Sequence, residues 1–242
     1  MISNKDFVHL HLHTSYSILD GMVKIDELIS KVKEFSMESV AITDHGSISG
    51  AITFYEKATE NGIKPIIGAE LYITHDRKFK GKLQENNDIK TSGYHLVLIA
   101  KDFQGYKNLV KLVTIGNLEG FYYKPRIDKE VLSKYSQGLI MLTSCLAGEI
   151  PQAIINKDQA KLKKHLDDYI SIFGKENVFV ELQFHGIEEQ KLVNTELIKI
   201  AKNYGLKRVI TNDVHYLEKD NYQSHDVLLC IQTKKKLDDP NR

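Results

Sequence analysis

Three histidines alternate with two leucines between residues 9 and 13, and no other stretch of the chain restricts its fold as strongly. Successive side chains of an extended strand point to opposite faces, so His9, His11 and His13 share one face while Leu10 and Leu12 share the other. A plain core has little use for such a face, because every buried ring nitrogen needs a partner. A single histidine is usually a hydrogen-bonded core or surface residue. A triplet followed by Asp20, in a turn that ends Leu-Asp-Gly, points instead to metal ligation.

The remainder of the chain alternates short apolar runs with amphipathic stretches, as repeated βα units do. Seven strands are predicted, at Phe7 to Leu12, Ser39 to Thr43, Pro65 to Ile73, Tyr94 to Ala100, Gly138 to Thr143, Val178 to Phe184 and Lys207 to Thr211. Helical patterns lie between them, among them KIDELISKVKEF, AITFYEKATENG, YKNLVKLVTIGN, QAKLKKHLDDYISIFG and EQKLVNTELIKIAKNYG. At 242 residues the chain suits one α/β domain, a distorted (β/α)7 barrel with a metal site at the carboxyl ends of its strands. The polar segment His75 to Gly93 reads as a surface loop. If that loop closes a hairpin, the strands on either side of it run antiparallel within an otherwise parallel sheet.

Composition narrows the class. With 42% hydrophobic and 27% charged residues the chain is neither disordered nor fibrous. It has no apolar run of about 18 residues and no signal-peptide pattern at its start, so no membrane association and a cytoplasmic location are expected. A net charge of +1 creates no global attraction for polyanions, so a nucleic acid would have to be held locally. In a reducing compartment Cys145 and Cys230 are expected free or liganded rather than paired.

Further donors fall where strands end, the place at which α/β barrels gather their chemistry. VAITDHG supplies Asp44 and His45, PIIGAE supplies Glu70, His95 opens YHLVLIA, Cys145 follows GLIMLTS, and TNDVHY supplies Asp213 and His215. Taken singly, an acid here is often a helix cap, and Cys145 is equally readable as a small buried thiol. Cys230, inside an apolar helix pattern, fits that plainer reading better. Together His11, His13, Asp20, His45, Glu70, His95, Cys145, Asp213 and His215 form a nine-donor set of N, O and S type, too many for one ion. Imidazole and thiolate favour Zn²⁺, Mn²⁺ or Fe²⁺ over Mg²⁺ or Ca²⁺. Such a set suits phosphate-ester cleavage by an ion-activated water, with no protein nucleophile.

In order along the chain, the HLHLHT, ITDHG, GAE, His95, Cys145 and NDVH elements resemble the motifs of the PHP (polymerase and histidinol phosphatase) family. The resemblance implies a barrel of seven βα units holding three divalent metals. It assigns the first ion to His11, His13, Glu70 and Asp213, the second to Glu70, His95 and Cys145, and the third to Asp20, His45 and His215. Glu70 and Asp213 would be the bridging ligands, and His9 would stand behind the ligands rather than among them. FVHLHLHTSYSILDG, GFYYKPRID, SCLAGEIPQAI and ELQFHG look, more narrowly, like the amino-terminal PHP domains of bacterial replicative DNA polymerases. That likeness implies residues 1–230 as the metal-dependent domain, 231–242 as the start of a linker, and the other polymerase domains and replisome subunits as partners. It also implies 3′–5′ exonuclease activity on a DNA 3′ end. A small-molecule phosphatase and a non-catalytic docking module are the alternatives. In GFYYKPRID, Tyr122 and Tyr123 beside Lys124 and Arg126 combine base-stacking faces with phosphate-binding cations, although a solvated loop packed on the barrel reads equally well. Tyr123, Lys124, Arg126 and His185 are therefore the candidate substrate contacts.

Overall fold

The computed structural model describes residues 6–81, 83–85, 88–90 and 93–240. The chain forms two compact units, Met1–Ile67 with Asp213–Arg242, and Gly68–Asn212.

The first unit contains helix α1 (Ile25–Glu34), strand β1 (Ser39–Ile42), helix α2 (Ala51–Glu60) and the opening of strand β2 (Lys64–Ile73). In α1 the apolar residues Ile25, Leu28, Ile29 and Val32 repeat at helical spacing and are all buried, each burial contributing roughly 1.5–3 kcal/mol. Asp26 and Glu27 in its first turn and Lys31 and Lys33 in its last complement the helix dipole. β1 and β2 pair in parallel from Ser39 with Lys64 to Ile42 with Ile67, as a βαβ unit requires.

Residues Phe7 to Leu12 do not form the regular strand expected. The segment shares its bonds between two neighbours: His9 and Leu12 carbonyls accept from Ala41 and Thr43, while the His13 N–H and the His11 carbonyl pair with Val214. The Leu12 N–H turns to the Thr43 hydroxyl, so no continuous ladder develops on either side. The facing pattern survives, because Leu12 enters the core beside Val23, Leu28 and Ile42 while His11 and His13 are buried as polar groups.

In the second unit Gly68–Ile73 of β2 pairs antiparallel with β5 (Tyr94–Ala100), which is the hairpin expected from the sequence. The intervening segment is not wholly a loop, since β3 (Leu83–Glu85) and β4 (Asp88–Lys90) pair within it; positions 82, 86, 87, 91 and 92 lie outside the described residues. Then follow α3 (Phe103–Leu118), β6 (Arg126–Ile127), α4 (Lys129–Lys134), β7 (Leu139–Leu142), α5 (Glu149–Ile155), α6 (Gln159–Phe173), β8 (Val178–Gln183), α7 (Glu188–Tyr204) and β9 (Lys207–Thr211). β7 is antiparallel to β5, whereas the pairs β7–β8 and β8–β9 are parallel, so β5 is the reversed strand. Asp102 caps α3 by accepting from the Gly105 N–H at 2.8 Å. Gly105 has no substitute there, because a Cβ would lie 1.8 Å from the Gly138 carbonyl oxygen. The chain re-enters the first unit and adds α8 (Tyr222–Thr233), so the stretch expected as linker begins inside a helix. Among the described residues no helix is long and apolar enough to cross a membrane.

Candidate metal sites

Six of the nine expected donors belong to the first unit. Asp213 Oδ1 lies 3.1 Å from His11 Nε2 and 3.2 Å from His13 Nε2. Asp20 Oδ2 lies 2.7 Å from His45 Nε2 and 3.5 Å from His215 Nε2. The His13 ring stacks on those of His45 and His215 at 4.1 and 4.4 Å. One ring nitrogen from each of these three histidines falls within 4.8 Å of the others. A tetrahedral ion with bonds of 2.0–2.2 Å holds its ligand atoms about 3.3–3.6 Å apart. One of the carboxylate–imidazole spacings falls in that range and three are shorter, as direct contacts between the groups are, and the donor types suit a transition ion. His9 meets Phe7 edge-on at 4.9 Å, and burial lowers its pKa.

Local backbone aims these donors. Leu19, just before Asp20, and Asp213 itself have φ of 64° and 48°, a left-handed conformation that side-chain-bearing residues adopt only when their surroundings impose it. Gly21 is fixed by proximity, since a Cβ there would stand 2.1 Å from the Thr14 carbonyl oxygen. Burial pushes the Asp20 carboxyl up, but hydrogen bonds from His215 and His45 outweigh it and hold the group well below the usual carboxylate range. The same pairing raises His215 against the effect of its own burial. His225, which sequence reasoning passed over, contacts the Asp20 carbonyl at 3.0 Å through Nε2 and packs 5.5 Å from the His215 ring. Nothing distinguishes a lone histidine in a helix from its neighbours in the sequence.

Asp44 is 1% exposed and accepts from the Thr14 N–H at 2.6 Å, the Thr14 hydroxyl at 2.8 Å and the Ser17 hydroxyl at 2.9 Å.

The other three donors belong to the second unit. Directly paired residues on neighbouring strands point to one face, and the register matches Glu70 with Val97 and Tyr72 with His95. The hairpin therefore puts Glu70 and His95 on a common face. Glu70 Oε1 lies 3.1 Å from His95 Nδ1 and 3.8 Å from Cys145 Sγ, and Sγ lies 3.5 Å from His95 Nδ1. A thiolate, an imidazole and a carboxylate make a zinc-type donor set. Ser144, at φ 67°, donates to Glu70 Oε1 at 2.7 Å and presents Cys145 just past the end of β7. Cys230 is buried in α8, the plain packing role expected of it.

The candidate substrate contacts divide. Tyr123 is 67% exposed at φ 62° with Tyr122 edge-on at 4.7 Å, and Lys124 Nζ lies 5.4 Å from the Tyr72 ring centre. Arg126 corrects the expectation, because it is 1% exposed and its guanidinium donates to the carbonyls of Gly120 at 3.1 Å and Phe79 at 2.7 Å. A cation enclosed by backbone acceptors holds a loop together rather than meeting a phosphate. His185 is exposed, and its ring is oriented by Gln190 at 2.9 Å on Nδ1 and the Asn212 carbonyl at 2.8 Å on Nε2.

The PHP domain family matches residues 9–185. The DNA polymerase III subunit alpha of Thermus aquaticus is 49% identical over the whole chain, and that of Borreliella burgdorferi is 44% identical over 98% of it. The chain spans about a fifth (20%) of the length of these relatives. A candidate metal-dependent phosphoesterase from Bifidobacterium adolescentis superposes with a TM-score of 0.52 at 15% identity, covering 91% of this chain and 96% of that one. A two-domain protein from Bacteroides vulgatus containing a predicted PHP-like metal-dependent phosphoesterase gives 0.52 at 16% identity, over 86% of this chain and 51% of that one. The fold is thus α/β and of the distorted (β/α) barrel class expected from the sequence. The chain belongs to the PHP family.

Proposed function

We propose that this chain is a metal-dependent phosphoesterase acting as a 3′–5′ exonuclease on DNA, the PHP part of a replicative polymerase alpha subunit. The observation that supports the proposal is the proximity of its donors: contacts of 2.7–3.8 Å link His11 and His13 with Asp213, Asp20 with His45 and His215, and Glu70, His95 and Cys145 with one another. Divalent Zn²⁺, Mn²⁺ or Fe²⁺ held there would acidify water and neutralise the charge on phosphoryl oxygens. The protein's part is to keep these donors ionised or neutral as needed and correctly aimed. Without an ion, hydrogen bonds from His215 and His45 keep Asp20 a carboxylate; a bound cation would take over that part, and Ser144 orients Glu70. Tyr123 and Lys124 are the side chains proposed to receive the terminal nucleotides, the first by stacking and the second by charge. The polymerase identity draws on relatives named as alpha subunits, and it carries with it a cytoplasmic location and the remaining polymerase and replisome parts as partners.

The test is metal analysis of the purified chain, with hydrolysis of a 5′-labelled single-stranded oligonucleotide in Zn²⁺, Mn²⁺ and Fe²⁺, for wild type and Asp213→Asn. Stepwise shortening from the 3′ end that disappears in the variant is expected. Equal activity in both would trace the hydrolysis to a contaminant. Turnover of small phosphate monoesters alone would move the assignment to a phosphatase, and bound metal without turnover would make the domain a docking module.

A further inference from the structure

We infer that Asp44 and Ser17 form a relay that sets the tautomer of His13, keeping its proton on Nδ1 so that the Nε2 lone pair is directed at the ion proposed above. This inference rests on the proposed function, because a cation between the two is what lets an unprotonated Nε2 face Asp213.

Burial pushes the Asp44 carboxyl up while hydrogen bonds from Thr14 and Ser17 oppose that shift, and as a carboxylate it can only accept them. It takes two from Thr14 and one from Ser17. A serine has a single hydroxyl proton, and the bond to Asp44 uses it. Ser17 Oγ therefore has only lone pairs left for its other two neighbours, the His45 backbone N–H at 3.0 Å and His13 Nδ1 at 3.1 Å. The first is a donor by nature, and the second has to be one. In the reverse arrangement, with Ser17 donating to His13, hydroxyl and carboxylate lone pairs would face each other at 2.9 Å in a buried setting.

A neutral imidazole protonated on Nδ1 carries its lone pair on Nε2, and His13 Nε2 stands 3.2 Å from Asp213 Oδ1. Lone pair against carboxylate is repulsive unless a cation lies between them, which is the arrangement a ligand pair has. Metal-bound histidines commonly donate their second nitrogen to a carboxylate or carbonyl that fixes the ring. Here a hydroxyl is interposed. Asp44, the acid of the ITDHG motif, thereby acts on the site as a positioning residue through Ser17, without contacting an ion.

The tautomer is read from long-range proton–nitrogen correlations of the histidine-labelled protein loaded with Zn²⁺ at pH 8, a measurement on the wild type that needs no variant. A proton on His13 Nδ1 alone is expected, and a proton on Nε2 overturns the relay. Ser17→Ala should populate the Nε2–H form and weaken Zn²⁺ or Mn²⁺ retention by about 10–100-fold, as removal of an outer partner of a ligand does. Asp44→Asn, which keeps an acceptor oxygen for Ser17, should recover most of what Asp44→Ala loses. If the Asn and Ala variants lose tautomer and retention equally, the hydroxyl relay is wrong. If the wild type retains no metal, the proposed function falls; if it retains metal with His13 protonated on Nε2, the relay falls and the proposed function stands.

Discussion

Replacing Glu149 by Gln should cost the second unit several kcal/mol in a way that depends on acid. Glu149 opens α5 buried, and its Oε2 lies 3.1 Å from Lys129 Nζ and 3.0 Å from His165 Nδ1 while accepting from the Tyr169 hydroxyl at 2.8 Å. Burial alone would push its carboxyl up. The His165 hydrogen bond and charge, followed by Lys129 and Tyr169, reverse this and bring it from the ordinary 4.5 down to about 2. At about 1.4 kcal/mol per pH unit, a difference near 2.5 units corresponds to about 3 kcal/mol. Removing one member of a buried pair typically costs about 3–5 kcal/mol, so two independent routes agree. Because the folded pKa is depressed, the contribution is complete above about pH 4.5 and is lost as pH falls toward 2, leaving about 1 kcal/mol at pH 3. Urea unfolding of wild type and Glu149→Gln at pH 7 and pH 3 measures it. At pH 7 the variant should also melt about 6–12 °C lower. A difference below about 1 kcal/mol at pH 7, or one of the same size at both pH values, would refute the reasoning.

Gly21→Ala should destabilise by about 1–3 kcal/mol and reduce metal retention, because the added Cβ drives into the Thr14 carbonyl; an unchanged melting temperature would contradict the close approach. Chelation by EDTA should lower the melting temperature, with about 3 kcal/mol recovered on adding Zn²⁺ or Mn²⁺ to a hundredfold excess over its dissociation constant, followed by calorimetry. Tyr123→Ala should weaken single-stranded DNA binding by about 1–3 kcal/mol without moving the melting temperature, since the ring is exposed. Unchanged binding in a fluorescence titration would return that segment to the role of a solvated loop.

Elements dominated by burial were the legible ones. β1, β2, β5, β7 and β8 are largely apolar runs, and α1, α2, α3, α6 and α7 show helical spacing over ten residues or more, so local pattern and final packing agree. The helices α4 and α5, with six and seven residues, are too short for a period to register. The run from Phe7 to Leu12 has strand alternation but hydrogen-bonds to two separate partners, which pattern alone does not reveal. Donor types at strand ends were readable because histidine, acid and thiol recur at one structural position. The role of Asp44 was not, because it depends on Thr14 and Ser17 about thirty residues away. Arg126 misled for a related reason. A cation beside two tyrosines looks solvent-facing until the chain wraps the carbonyls of Gly120 and Phe79 around it.

The left-handed residues beside the donors bear on protein engineering. Leu19, Ser144 and Asp213 each hold a conformation that an isolated segment would abandon, at an expense of about 1–3 kcal/mol apiece. A synthetic peptide copied from any of these loops should relax and lose its aim, however faithful its sequence. Grafting this chemistry onto another scaffold means transplanting the enclosing supports along with the donors.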